Sequence, residues 1–302
     1  MAQTTRPRAA APLFDADFIQ KLEYLSLVSR RVFRGRLMAQ RRTTQLGGGV
    51  EFADHREYTP GDDFRHLDWN LFARHDELLL KRFQEEEDLH VYILLDCSRS
   101  MAFGDPSKFD YARRIAAAMA YIALAELDRV AVSAFAGGIF ADFPLTRGKA
   151  RILSLLQFLE GLPVQDGPTD LARAARDFAL RSRRRGLVIV VSDLFDPEGF
   201  ERGLDVIRHN RHEPHVVQVY DRREAEPEVK GDLELFDVES GAIEKVTVAE
   251  RNLQQYRAIF AEFLESVQRY CKAYGIGGTC SPTQVPFDDL ILKMMRQTGA
   301  VA

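Results

Sequence analysis

The stretch from Leu89 to Ser100, LHVYILLDCSRS, limits what this chain can fold into more than any other. Its apolar run has no polar alternation and is too short to cross a membrane, so it reads as a strand covered on both faces, inside a parallel sheet. The strand ends in an acid and two hydroxyls at the spacing Asp96-x-Ser98-x-Ser100. Ligands of open α/β sheets bind just beyond the carboxyl ends of strands, near the point where strand order reverses. Asp96, Ser98 and Ser100 are expected there.

The rest of the chain supplies the alternation such a sheet needs. Ser107-x-x-Asp110 has the pattern of a capped start for a helix over 108–127. Strands over 129–135 and 138–143 follow, joined by a Gly-Gly turn, then a short helix over 149–159. Residues 166–170 open a helix to about Arg181, and 186–192, GLVIVVS, form a second wholly apolar strand that ends in Asp193. A helix over 197–208, a strand over 214–220, a hairpin over 233–238 and 243–248, a helix capped by Thr247-x-x-Glu250 and closed by Gly275, a strand near 276–280 and a helix over 287–297 complete the series. The expected fold is α/β, a doubly wound, mostly parallel sheet over 89–302. Asp96 and Asp193 then share one sheet edge, and Thr169 starts the helix that leads into the second strand. Two carboxylates and three hydroxyls are hard oxygen donors of the kind Mg2+ or Mn2+ prefers, and they leave the ion able to accept one more oxygen. An acidic residue of a partner would suit it.

Before the sheet, residues 1–14 read as a disordered tail and 15–33 as an amphipathic helix with a basic end, the start of a small N-terminal α+β subdomain over 15–88. Pro60-Gly61 is set for a type II turn, and a strand is expected over 78–83, with the acidic run 84–88 as a link. Around the turn, charges of both signs interleave with Tyr58 and the only tryptophan, Trp69: Glu51, Asp54, Arg56, Glu57, Asp62, Asp63, Arg65, Asp68 and Arg74. Such a cluster is either a fixed ion-pair network, pinning the subdomain onto the sheet, or a recognition patch for a partner.

Composition excludes several classes. A net charge of −4 argues against a nucleic-acid binder. No apolar run reaches the ~18 residues of a membrane span, and the N-terminus lacks the apolar core of a signal peptide, so a cytoplasmic location is expected. The three cysteines make no C-x-x-C and read as free thiols, Cys97 as a buried filler at the strand end. There is no G-x-S-x-G, Walker or H-E-x-x-H motif, and Asp96-x-Ser98 lacks the second aspartate of aspartyl phosphatases. His209-x-x-His212-x-x-His215 cannot share one face across a helix end and a strand, so these read as solvated histidines, not zinc ligands. Gly47-Gly48-Gly49 precedes no helix and reads as a flexible loop, and the arginines 181 and 183–185 read as dipole partners at a helix C-terminus.

The order Asp96-x-Ser98-x-Ser100, Thr169, Ser192-Asp193 resembles the metal-ion-dependent adhesion site of von Willebrand factor A domains. The block Glu51-Phe52-x-Asp54-x-Arg56-x-Tyr58-x-Pro60-Gly61-Asp62-Asp63-x-Arg65-x-Leu67-Asp68-Trp69, with Ala73-Arg74, resembles the N-terminal signature of the bacterial domain-of-unknown-function family numbered 58. The resemblance implies a von Willebrand factor A-like domain with a small N-terminal addition, and a MoxR-type AAA+ ATPase as partner. It also implies that Ser98 and Ser100 bind Mg2+ directly, that Asp96 and Asp193 act directly or through water, and that Thr169 joins or leaves the shell with state. The function expected is a non-enzymatic, metal-dependent adaptor that docks an acidic group of the ATPase or its client; its rival is a metal-assisted hydrolase using Asp96 or Asp193 as base.

Overall fold

The run from Val91 to Leu95 is buried throughout, and the strand that holds it stands inside a six-stranded sheet. The computed structural model describes residues 12–33, 42–46, 51–86, 89–167, 169–228, 231–236 and 243–300. In chain order come helix α1 (Ala16–Phe33), strands β1 (Arg42–Leu46) and β2 (Glu51–Glu57), helix α2 (Trp69–His75), strands β3 (Leu79–Glu86) and β4 (His90–Asp96), helix α3 (Lys108–Ala125), strands β5 (Arg129–Phe135) and β6 (Ile139–Arg147), and helices α4 (Ile152–Glu160) and α5 (Leu171–Arg181). Strand β7 (Leu187–Ser192), helix α6 (Glu201–His209), strand β8 (Glu213–Tyr220), the short helix α7 (Arg222–Ala225), strands β9 (Gly231–Phe236) and β10 (Ile243–Val248), helix α8 (Glu250–Ala273), strand β11 (Gly277–Pro282) and helix α9 (Phe287–Ala300) follow.

The sheet order is β11-β8-β7-β4-β5-β6, with every neighbouring pair parallel except the β5–β6 hairpin. From β4 the chain moves to β5 on one side and later returns to β7 on the other. Strand order therefore reverses between β4 and β7, and a crevice is expected beyond their carboxyl ends. One face of the sheet offers Tyr92, Leu94, Val188, Val190 and Val216 to Leu171, Ala174 and Phe178 of α5, Leu204 and Ile207 of α6, and Val267 and Cys271 of α8. The alternate residues Ile93, Leu95, Ile189 and Val191 are just as buried, and α3 packs against β4, β5 and β7. Helix α3 starts as its pattern requires, with Ser107 Oγ accepting from Asp110 N at 3.0 Å, and its alanines 112, 116 and 120 are fully buried. Small side chains let a helix axis approach the strands closely.

Helices α5 and α6 touch through a glycine. A Cβ built on Gly203 would lie 2.4 Å from Leu171 Cγ, which sits in the packed core and cannot swing aside. Gly203→Ala is expected to cost about 1–3 kcal/mol through overpacking, read as a lower urea midpoint. An unchanged midpoint would mean that the two helices separate freely.

The chain divides into two compact units, residues 1–29 with 90–302, and residues 30–89. The first helix, expected with the N-terminal subdomain, thus groups as far as residue 29 with the sheet. Its apolar stripe explains this: the Phe18 ring is 4.8 Å from that of Phe287, and Lys21 Nζ is 3.4 Å from Asp288 Oδ1. Of the expected tail, residues 1–11 lie outside the described residues. Phe14 does not behave as tail, since its ring centroid is 5.0 Å from that of Phe18.

The smaller unit holds an antiparallel sheet of order β1-β3-β2 around the buried Leu80. Residues 84–86, expected as a link, extend β3 because they pair with β1, which the sequence did not suggest. The glycines 47–49 lie outside the described residues. Helix α8 is likewise not capped by Thr247. That residue pairs with Asp232 in the β9–β10 ladder, and the N-cap is Ala249, without a side-chain bond.

Candidate functional site

The carboxyl ends of β4 and β7 carry a closed cluster of polar side chains. Asp96 is wholly buried, and its two oxygens are separately held: Oδ1 accepts from Ser98 N at 2.8 Å and Oδ2 from Ser192 Oγ at 2.5 Å. The hydroxyls of Ser98 and Ser100 lie 3.1 Å apart. On β7, strand alternation turns Ser192 to the face of Asp96 and leaves the next residue, Asp193, for the face of α3. Asp193 Oδ1 accepts from Phe195 N at 3.1 Å. Leu194 between them has a φ of +63°, a left-handed conformation that costs a branched side chain of order 1 kcal/mol or more. Its buried side chain and the bond from its N–H to Ser192 Oγ, 2.8 Å, hold it there.

Burial and the nearby negative charge of Asp193 push the Asp96 carboxyl up to about 7, against the pull of Ser192 and Ser98. Asp193 has an added partner. Lys108, the first residue of α3, is fully buried and places Nζ 2.7 Å from Asp193 Oδ2 and 2.5 Å from Glu224 Oε1 of α7. The same ammonium lies 4.9 Å from the centroid of the Phe195 ring. Burial works to lower the Lys108 pKa, but the charges and hydrogen bonds of Asp193 and Glu224 outweigh it and raise it, so the ammonium stays charged. Glu224 is fixed in turn by a capping box: its Oε2 accepts from Asp221 N at 2.9 Å, and Asp221 Oδ1 accepts from Arg223 N at 2.8 Å.

Thr169 lies in the loop before α5, which is tied across three strand ends. Gln165 N donates to Cys97 O at 2.7 Å, Asp170 N to Ala136 O at 3.0 Å, and Leu171 N to Asp196 Oδ2 at 2.8 Å. The Thr169 hydroxyl is buried and has no hydrogen-bond partner among the described residues. Asp96, Ser98, Ser100, Asp193 and the Thr169 loop thus gather at one edge of the sheet. Among the described residues, no three His, Cys, Asp or Glu side chains form a metal cluster.

Lys108 and Glu224 were not singled out in the sequence, although a signal existed for each. A lysine at the first position of a capped helix sits at the positive end of the macrodipole, where a cation is disfavoured without a compensating anion. Asp221-x-x-Glu224 has the spacing of a capping box. Gln218, beside Ser192 in register, is a further buried polar side chain, and both its amide atoms lack a partner among the described residues.

The charged block of the smaller unit resolves into local knots. Asp62 accepts from Arg56 at 2.8 Å and from Thr59 N and Oγ1, closing the turn in which Gly61 has a φ of +109°. Arg65 forks onto Asp63 and holds its carboxyl down to about 2. Asp68 caps α2 through Asn70 N and Leu71 N and meets His55 at 3.1 Å and Lys81 at 3.4 Å. Tyr58 stacks on Phe64 at 5.2 Å, while Trp69 is exposed, its ring edge-on to that of Phe72. Asp54 and Arg74 are also exposed; Glu51 pairs through its backbone with Gln84 of β3.

Of the three histidines, two are turned inward and are not solvated. His212 is buried between the rings of Tyr92 and Phe178, 5.6 and 5.0 Å away, and Nε2 of His215 is enclosed. The cause is β8, which starts at residue 213 and draws both onto the sheet. Cys97 is fully buried, and burial pushes its thiol well above the usual range.

The chain is similar to Uncharacterized protein Mb1516 of Mycobacterium bovis and to Uncharacterized protein Rv1480 of Mycobacterium tuberculosis. Each is 29% identical over 206 residues, 67% of this chain and 65% of the relative, so the chain spans just under two thirds of their length. Solved structures with some likeness are the conserved hypothetical protein BatB from Bacteroides thetaiotaomicron, with 20% identity, a TM-score of 0.45 and coverage of 71% of this chain and 100% of that one, and an aerotolerance-related membrane protein from Bacteroides fragilis, with 19%, 0.43, 71% and 100%. No described helix here is long and apolar enough to cross a membrane. The family profile described as "Protein of unknown function DUF58" matches residues 54–268, from the charged block through most of α8, and the chain belongs to that family.

Proposed function

We propose that the cleft at the ends of β4 and β7 is a divalent-cation site of the von Willebrand factor A kind, through which the chain docks an acidic group of a protein partner. The observation that carries this reading is a charge imbalance in a closed space. Three carboxylates, Asp96, Asp193 and Glu224, face one ammonium, Lys108. The hydroxyls of Ser98 and Ser100 stand beside Asp96, and that of Thr169 is buried without a partner among the described residues. One more cation would offset the excess and use the orphaned hydroxyl. Ser98, Ser100 and Thr169 are the residues that would hold it as hard oxygen donors suited to Mg2+ or Mn2+, with the Asp96 and Asp193 carboxylates acting through water or by their charge. Bound there, the ion would supply an electrophilic position for one more carboxylate oxygen.

The strained Leu194 and the tied loop at Thr169 give the donors fixed positions, as docking by geometry requires. The partner implied by the family resemblance is a MoxR-type AAA+ ATPase or its client, which makes the chain a non-enzymatic adaptor in the cytoplasm. One observation favours the rival hydrolase: an Asp96 carboxyl near 7 matches a general base. It ranks second because Asp96 is sealed from solvent and both of its oxygens are already engaged.

Surface plasmon resonance between the purified chain and the MoxR-type ATPase of the same source tests the adaptor. Binding in millimolar Mg2+ is expected to vanish in EDTA and in Asp96→Asn. Binding that survives both sinks the reading. Turnover of a phosphate or ester substrate by the wild type, but not by Asp96→Ala, would put the hydrolase in its place.

A further inference from the structure

Lys108 enters the docking reading only as a charge to be counted, with no part in holding the ion. It is also the most costly group of the cleft: a full positive charge with no solvent exposure, at the helix end that repels cations. Its bonds divide the acids of the cleft. The ammonium takes Asp193 and Glu224, whereas Asp96, among the described residues, is held by Ser192 and by Ser98. We propose that Lys108 is the resident cation of the cleft: it holds Asp193 and Glu224 and so limits how tightly the hydroxyl-lined half beside Asp96 binds an added divalent ion. This rests on the cation-site reading above and deepens it by assigning the residue that tunes the affinity.

Three features of the geometry favour a tuning role over simple structural pairing. The ammonium shares Asp193 with the cleft, and Asp193 acts electrostatically on Asp96, so a charge on one is felt at the other. The second acid, Glu224, comes from α7 beyond the next strand, β8, so the lysine ties three strand ends to one charge. The cation–π contact with Phe195 places the ammonium against the loop that also carries Leu194. A fixed positive charge next to a cation site repels the incoming ion and occupies an anion that would otherwise attract it. Removing it should make the site greedier, at the expense of the fold.

Isothermal titration with MnCl2 alone, on the full chain freed of metal, provides the test. Wild type is expected to bind one Mn2+ weakly. Lys108→Met, which keeps the length of the side chain and deletes the charge, should bind at least about tenfold tighter. Lys108→Arg should stay within about threefold of wild type, because it keeps the charge. Glu224→Gln should bind severalfold weaker, since it removes an anion and leaves the whole ammonium on Asp193; this variant decides the matter if Lys108→Met does not fold. Equal Mn2+ affinity in wild type, Lys108→Met and Glu224→Gln overturns the proposal while leaving the cation site standing. Binding by Lys108→Met alone supports the role of Lys108 but removes the cation site from the natural protein, and binding by none overturns both.

Discussion

Asp193→Ala is expected to cost the sheet unit about 3 kcal/mol or more of stability, because it leaves the Lys108 ammonium in the interior with only Glu224 beside it. Asp193 and Lys108 have no exposed side-chain surface, so water cannot take the place of the lost carboxylate. The comparison is the surface pair Arg202–Glu198, with about 70% of each side chain exposed, where Glu198→Ala should cost less than about 1 kcal/mol. Urea unfolding of the two variants under the same conditions makes the contrast. The sign of the double variant carries more information: Lys108→Met with Asp193→Leu removes both charges, and an apolar pair in their place should recover much of the loss. Should Asp193→Ala cost no more than Glu198→Ala, the ammonium has another partner and the charge division of the cleft is wrong.

How much of this was legible beforehand follows from which interactions are local. The strand over 90–96 announced itself through an apolar run that only a doubly covered sheet position tolerates, and β7 did so in the same way. Their terminal acids came to one edge because parallel topology leaves few other arrangements. The Ser107 cap and the turn at Gly61 are contacts over three residues, so their residue types sufficed. What stayed hidden depends on distant partners. Lys108 looks like any solvated lysine until Asp193 and Glu224, 85 and 116 residues away, are brought to it. Strand β1 has no apolar alternation and is a strand only because β3 pairs with it. Thr247 looked like a cap because the ladder with β9, which claims it, cannot be read from a four-residue pattern.

Acidification should reveal a second group, the half-buried His215, which the sequence pattern placed in water. On β8 the ring lies beside Gly277 of β11, where a Cβ would come 2.2 Å from Nδ1, and Nε2 is enclosed without a partner among the described residues. Burial lowers its pKa from 6.5 to about 4. Between those values the unfolded chain holds a proton that the folded one does not, so stability is complete above about pH 6.5 and is lost as pH falls toward 4. The loss amounts to about 3 kcal/mol at most. Asp96 runs the other way: a carboxyl raised to about 7 makes the metal-free fold less stable as pH rises from its ordinary range toward 7. The two slopes partly cancel in the wild type, whose stability curve alone would mislead. His215→Leu removes only one of them. Urea unfolding of both proteins in EDTA from pH 8 to pH 4.5 should show the wild type losing about 2–3 kcal/mol relative to the variant, with the difference opening below pH 6.5. Parallel curves would mean that His215 takes up its proton in the folded state, with Nε2 open to water.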